Sequence, residues 1–359
     1  MSSISLVMIV KNEERVLGRC LDSICDLVDE IVIVDTGSED RTVEIAGKYT
    51  KHIYSYEWTN DFAAARNFAF QKAGKEYTMW LDADDIIFPE DREKFLHIKE
   101  SLSHKPDSVL MPYVLGRDPY GQITSSLKRN RLVKTSRGFQ WKGAVHEYLE
   151  VHGTIIEVDI CITHLSVKSK KTDRNLKIYE QLEQQQKQLS PRDLYYFGNE
   201  CFEHGLLEKC LKLYREFLDT NAGWQEDCIA AIDRAAEALL QLGRTEEAEE
   251  LLFESFKYDI PRANISCKLG YIYFSKSLYH QAIYWYKAAA ECDLERVKET
   301  GALVNYAYYT WLPHIQLCVC YDKIGKKELA YCHNEMARFY NPTNNLVLQN
   351  KQYFEKIIT

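Results

Sequence analysis

A chain of 359 residues with 46% hydrophobic, 12% aromatic and 27% charged side chains carries enough apolar material for about two domains, each with its own core. Sixteen glycines and eight prolines exclude a collagen-like or loop-dominated chain, and a net charge of -8, from 45 Lys and Arg against 53 Asp and Glu, denies nucleic acid the cationic field it requires. The eleven cysteines include no CxxC pair and fall mostly in apolar helical patterns (Cys201, Cys210, Cys267, Cys318), so they read as small buried hydrophobes in a reducing compartment.

The first residues lack the cationic start of a secretory leader, and no window approaches the roughly 20 apolar residues of a membrane span. A cytoplasmic protein is expected. Ile4–Val10 is an apolar run that fits a buried strand, broken by Lys11-Asn12-Glu13-Glu14. Val16, Leu17, Cys20, Leu21 and Ile24 then recur at helical spacing within Val16–Leu27. Glu30–Val34 is a second strand that stops at Asp35-Thr36-Gly37-Ser38, a turn rich in capping residues ahead of a helix over Arg41–Tyr49. His52–Tyr56 reads as a third strand, Phe62–Ala73 as a helix, and Tyr77–Leu81 as a fourth strand ending in Asp82-Ala83-Asp84-Asp85.

This alternation of apolar strands and helices predicts an α/β domain with a mostly parallel sheet covered on both faces. In such sheets the ligand crevice lies at the carboxyl ends of the strands. Asn12 and Glu13, Asp35, and the aspartates 82, 84 and 85 each follow a strand, so all should meet on one rim.

From about Asn175 the pattern is helical throughout. Four times, a small residue follows a Gly or Ser by five positions and another small residue by twelve: Gly198/Gly205/Cys210, Ala236/Gly243/Ala248, Gly270/Ser277/Ala282 and Cys318/Gly325/Ala330. The last members lie 38, 34 and 48 residues apart, which places an insertion around Glu291–Tyr309. The pattern resembles the tetratricopeptide repeat, a helical hairpin of about 34 residues whose small residues let paired helices approach. Its tyrosine-rich stretches read mostly as repeat core.

Three carboxylates at the end of an apolar strand repel one another unless water or a cation compensates. Alone they could form a solvated acidic turn. Equally, they could hold Mg²⁺ or Mn²⁺ through oxygen ligands. The segments Ile4–Glu14 (ISLVMIVKNEE), Ile31–Thr42 (IVIVDTGSEDRT), Asn60–Asn67 (NDFAAARN) and Leu81–Asp85 (LDADD) occur in fixed order. Together they resemble the family 2 glycosyltransferases, of Rossmann-like GT-A fold, over about residues 1–170. The NDF and ARN residues, Lys142–Glu147, Thr163-His164 and the helical tail also resemble the bacterial S-glycosyltransferases of glycopeptide bacteriocins.

The resemblance implies a UDP-hexose donor, Mn²⁺ or Mg²⁺, and an inverting transfer. It implies that Asp35 binds uracil or ribose, with Asn12 and Glu13 in the same pocket; otherwise Asp35 is a turn or capping residue. Asp61 and Arg66 flank a helix start, and Arg66 would pair with the aspartates or the donor diphosphate rather than form a plain surface ion pair. Asp82 and Ala83 would face the ribose or sugar, Asp84 and His164 would ligate the cation, and Trp141 would offer an apolar platform to a sugar ring. Glu147 is the expected general base, with His146 second, unless this segment is a polar strand edge. Lys171 and Arg174, in a basic stretch that otherwise reads as a linker, would offset charge on the leaving UDP.

The expected division is a glycosyltransferase domain over 1–170, a basic linker and connecting helix over 171–190, and helical repeats over 191–359 that hold a peptide or protein acceptor or form a homodimer. The acceptor group would be a Cys thiol or a Ser/Thr hydroxyl; a cell-envelope saccharide acceptor and a non-catalytic UDP-sugar-binding scaffold are the alternatives. A sugar-1-phosphate nucleotidyltransferase would require a Gly-rich loop where Lys11-Asn12-Glu13-Glu14 stands, and a dehydrogenase a GxGxxG that is absent.

Overall fold

The computed structural model describes residues 2–102, 105–117, 123–165 and 172–357, and the chain divides into two compact units, 1–187 and 188–359. The first unit begins β1 (Ile4–Val10), α1 (Leu17–Asp22), β2 (Glu30–Asp35), α2 (Thr42–Ala46), β3 (His52–Ser55), α3 (Phe62–Phe70) and β4 (Tyr77–Trp80). It continues with β5 (Asp85–Ile86), α4 (Pro89–Ser101), β6 (Ser108–Arg117), β7 (Ile123–Lys134), β8 (Gln140–Lys142), β9 (Tyr148–Glu150), β10 (Ile155–Glu157), β11 (Ile162–His164) and α5 (Arg174–Gln184). The elements expected up to residue 81 are present, with α1 and α2 shorter than their apolar spacing suggested; α1 ends where the Ser23 hydroxyl bonds back to the Cys20 carbonyl at 2.7 Å.

Among the described residues one sheet runs β3-β2-β1-β4-β7-β6-β11-β5, with β10 beside β6, and β8 pairs with β9 separately. Strands β3, β2, β1 and β4 are parallel, whereas β7 runs antiparallel to both β4 and β6. The sheet is thus parallel on one half and mixed on the other. Alternation along β1 sends Ile4, Leu6 and Met8 into a core with Leu17, Cys20 and Leu21 of α1 and Phe95 of α4. Val7 points to the opposite core, with Ala63 and Ala69 of α3 and Trp80. Burial on both faces explains why these strands are continuously apolar.

The second unit comprises helical hairpins: α6 (Pro191–Glu203) with α7 (Leu207–Asp219), α8 (Gln225–Gln241) with α9 (Thr245–Glu254), and α10 (Ala263–Ser275) with α11 (Tyr279–Ala290). A short α12 (Leu294–Glu299) and a 3-10 turn at Tyr306–Tyr309 form the insertion, before the hairpin of α13 (Trp311–Lys323) with α14 (Lys327–Tyr340) and a final α15 (Asn345–Glu355). The repeated small residues have the expected geometry. Gly205, Gly243 and Gly325 turn each hairpin with φ of 72, 75 and 76°, and Ser277 adopts the same left-handed conformation at 59°. Gly198 and Gly270 let α6 and α10 lie against the rings of Tyr214 and Tyr286. The unit is an all-α array of tetratricopeptide-like hairpins.

A Cβ on Gly198 would sit 2.6 Å from the Tyr214 ring. Gly198→Ala should therefore destabilise the helical unit by about 1–3 kcal/mol, because the ring has to move within a packed core. Urea denaturation followed by circular dichroism checks this, and an unchanged midpoint would remove the close-approach role of Gly198.

Candidate active site

Strand register brings the polar turns together. Val10 at the end of β1 pairs with Asp35 at the end of β2, and Val7 pairs with Trp80, the last residue of β4. The loops leaving these three parallel strands therefore start on the same edge of the sheet. After β1, Asn12 adopts a left-handed φ of 55°; its amide donates to Ser38 Oγ at 3.0 Å and its side chain accepts from the Glu39 amide at 2.8 Å. The Glu13 amide donates to Thr42 Oγ1 at 2.7 Å. The carboxylate of Asp35 accepts from the amides of Gly37 and Ser38, closing the turn. The loop of Asn12 and Glu13 after β1 is thus hydrogen-bonded to the loop that Asp35 opens after β2, and Asp35 has the turn-forming contacts of a strand-end aspartate.

The turn after β4 closes on itself: the Asp85 amide donates to the Asp82 carbonyl, and the Asp82 amide donates to Asp85 Oδ2, both at 3.0 Å. This orientation leaves the Asp82 side chain facing Arg66. The Arg66 guanidinium donates to Asp82 at 2.7 Å and to Glu147 at 2.6 Å, and its carbon lies 4.9 and 4.8 Å from the centroids of Trp80 and Trp141. Arg66 is buried on α3, so one cation joins a carboxylate after β4 to one after β8. Burial raises the pKa of Asp82, but the charges of Arg66 and Arg131 win and hold it below the usual carboxylate value.

Beside it lies a second cluster. The antiparallel pairing of β5 with β11 sets His164 opposite Asp85, and His164 Nδ1 is 3.4 Å from Asp84 Oδ1 and 3.7 Å from Asp85 Oδ1. Ligand atoms of Asp84, Asp85 and His164 all lie within 4.8 Å of one another. Asp84 and Asp85 push the His164 pKa up to about 10. Asp85 is fully buried; its Oδ2 accepts from Arg131 Nη1 at 2.9 Å, while its Oδ1 has no hydrogen-bond partner among the described residues. An imidazole and two carboxylates, one of them with an orphaned buried oxygen, suit a hard divalent cation, so the donor set fits Mg²⁺ or Mn²⁺.

Comparison with known proteins bears on what such a rim serves. Residues 5–164 match the model of the family described as Glycosyl transferase family 2. This segment is a family 2 glycosyltransferase domain. A TPR repeat-containing protein of Synechococcus elongatus is 32% identical over 150 residues, 42% of this chain and 36% of that one. The SPbeta prophage-derived glycosyltransferase SunS of Bacillus subtilis is 26% identical over 238 residues, 60% of this chain and 55% of the relative. The chain thus spans between about a third and just over half of the length of these relatives. A solved TPR protein of Thermus thermophilus covers 52% of this chain and 90% of its own, at 16% identity and a TM-score of 0.35.

Within the glycosyltransferase domain the other expected residues have varied settings. Trp141 is corrected: it is buried, and its ring packs edge-on with Trp80 and Phe70 and against Arg66, so no face is open to a sugar. Asn67 pins its backbone through two hydrogen bonds of 2.8 and 3.0 Å. Asp61 caps α3, accepting from the Ala64 amide at 2.9 Å. Ala83 is buried in the aspartate turn, and His146 adopts a left-handed φ of 51° beside Glu147. Arg174, at the start of α5, stacks over Phe62 at the start of α3 at 4.6 Å. Lys171 lies outside the described residues, and among those described no helix is long and apolar enough to cross a membrane.

Sequence reasoning missed Arg131. It sits in the run Leu127–Lys134, where Lys128, Arg129, Arg131 and Lys134 look alike until strand pairing shows which points inward. By contrast Arg66 was recognisable from the ARN triplet that follows the NDF segment.

Replacing Arg66 by Ala would leave Asp82 and Glu147 facing each other without their shared cation. We expect Arg66→Ala to destabilise the first unit by about 3–5 kcal/mol, as for a broken buried pair, readable in thermal and chemical denaturation of the full chain. A loss below about 1 kcal/mol would mean that solvent compensates both carboxylates.

Proposed function

We propose that this protein is a metal-dependent, inverting glycosyltransferase that moves a hexose from a UDP-sugar to a peptide or protein side chain, a Cys thiol or a Ser/Thr hydroxyl. The observation that carries this reading is the continuous chain of groups at the carboxyl rim of a family 2 domain: Glu147, Arg66 and Asp82 in direct contact, with Asp84 and His164 adjoining. Neither a scaffold nor a sensor requires a carboxylate held beside the sugar-binding edge.

In this reading Asp35 accepts a hydrogen bond from the uracil or ribose, and Asn12 and Glu13 shape the same pocket. Asp82 orients ribose or sugar hydroxyls with its remaining oxygen. Asp84 and His164 would hold Mn²⁺ or Mg²⁺, which when bound supplies Lewis-acid neutralisation of the diphosphate. Arg174, together with Lys171, offsets charge on the departing UDP.

Arg66 fixes one oxygen of Glu147, leaving the other to take the acceptor proton. As the S–H or O–H proton passes to Glu147, the sulfur or oxygen bonds the anomeric carbon. In the same step the bond from that carbon to the diphosphate oxygen breaks on the opposite face, its electron pair leaving with UDP, so the anomeric carbon is inverted. A thiol requires the least help because its ordinary pKa is about 8.5. A peptide acceptor is supported by the helical hairpins of the second unit, an architecture whose extended surfaces suit peptides.

The first test is UDP release from a panel of UDP-sugars with Mn²⁺, alone and with matched peptides carrying Cys or Ser at one position, products being read by mass spectrometry. Release should vanish with EDTA and in Asp84→Asn; turnover that survives both would overturn the metal assignment. Transfer to envelope saccharides but to no peptide would overturn the peptide acceptor.

Glu147→Gln should lower kcat by about 10²–10⁴-fold with little change in donor KM, the size of a lost general base. The same drop in His146→Gln, with Glu147→Gln active, would transfer the role to His146.

A further inference from the structure

Arg131 has a setting that the proposed chemistry does not use. Along the β6 and β7 pairing, Val109 faces Leu132 but Leu110 faces Asn130, so the register slips by one residue and Arg131 is the extra residue of a β-bulge. Bulges re-aim a side chain that regular alternation would send elsewhere. Here the side chain enters the sheet beneath the aspartate turn, where it is fully buried. Its guanidinium carbon lies 3.9 Å from the centroid of Trp80 and 4.3 Å from that of Tyr113, a sandwich that fixes the plane of the group.

Both rings of the sandwich are anchored. Trp80 Nε1 donates to the Asn130 carbonyl at 2.7 Å, and the Tyr113 hydroxyl is 3.1 Å from His164 Nδ1. From this clamp Arg131 Nη1 reaches Asp85 Oδ2 at 2.9 Å, and Oδ2 also accepts the Asp82 amide. Both hydrogen bonds are on the same oxygen, and Oδ1, without a hydrogen-bond partner among the described residues, faces His164 Nδ1 at 3.7 Å. A surface ion pair would have no reason to discriminate between the two oxygens. Carboxylates that bind a metal through one oxygen are often held through the other.

We propose that Arg131 is a positioning residue that presents Asp85 Oδ1 as the third, fully buried ligand of the cation site formed with Asp84 and His164. This rests on the reading of that cluster as a cation site. Arg131 sets a permanent positive charge against Asp85 Oδ2, and the bulge and aromatic clamp supply its direction. A lysine would bring the charge without the planar faces that lie against the two rings, and could not be held at the same angle.

The test is Mn²⁺ binding to the full chain without donor, by isothermal titration calorimetry and by the loss of free-Mn²⁺ electron paramagnetic resonance signal. Arg131→Lys should weaken Mn²⁺ binding about 10- to 100-fold, the usual cost of losing a partner behind a metal ligand. Should Arg131→Lys fail to fold, the neutral hydrogen-bonded pair Asp85→Asn with Arg131→Gln removes the ligand without stranding a charge, and should weaken binding at least as much. Wild-type affinity in either folded variant would overturn the proposal while leaving Asp84 and His164 as the cation site. If wild-type chain bound no Mn²⁺ at all, the cation reading itself would fall, and this inference with it.

Discussion

The guanidinium of Arg66 sits where the aspartate turn of β4 and the segment after β8 have to meet, and each side would push the other away without it. Asp82 and Glu147 are both carboxylates, and both face inward beside two tryptophans. Water could separate them only by opening the core between Trp80 and Trp141. Arg66 instead satisfies one oxygen of each acid along two edges of a single plane, while its faces rest on the indoles. The cost of burying the cation is offset because two anions and two π-faces surround it. From that contact follow the direction of Asp82, the reach of Glu147, and the burial of Trp141.

The burial of Trp141 shows where sequence reading stopped. A tryptophan next to Lys142-Gly143 and near a candidate base suggests a sugar platform, and nothing in the local sequence says otherwise. The deciding facts are non-local: α3 supplies Asn67 to grip its backbone and Arg66 to cover its ring. The parallel strands were legible because burial on both faces leaves continuous apolar runs, as in Ile4–Val10. The rim was legible because parallel strands end on one side. Arg131 was not, because a bulge breaks the period on which inward and outward positions are read.

In the helical unit the balance reverses. Its local rules are strong: a Gly or Ser with left-handed backbone at each hairpin turn, and a glycine wherever a tyrosine ring occupies the space between helices. These leave their mark on sequence at fixed offsets, so the hairpins could be recognised one by one. The insertion was visible only as an irregular interval. Its attachment is non-local: Val297 is buried, Tyr308 and Tyr309 pack against the helical core, and Arg296 of α12 pairs with Asp259, which also pairs with the buried Arg262, which in turn reaches Glu226. Such a network orients a segment more than it stabilises it, since each buried charge loses water.

The same cost applies with more force at the rim. Asp82, Asp84, Asp85 and Glu147 bring four negative charges to one region, and Arg66, Arg131 and His164 bring three positive ones within their reach. Two of those cations are guanidiniums, which do not give up their protons. His164 is the exchangeable member, and it stands against the two carboxylates that no guanidinium fully occupies. If it serves as a ligand it is neutral, and a divalent cation then brings the region to electrical balance. No positive charge remains there for an incoming diphosphate. A nucleotide-sugar would have to find its counter-charge elsewhere, and Arg174, which begins α5 beside the start of α3, lies on the basic segment able to supply it. A chain that is acidic overall can thus carry a locally basic segment, because the acids at the rim are paired with Arg66, Arg131 and His164.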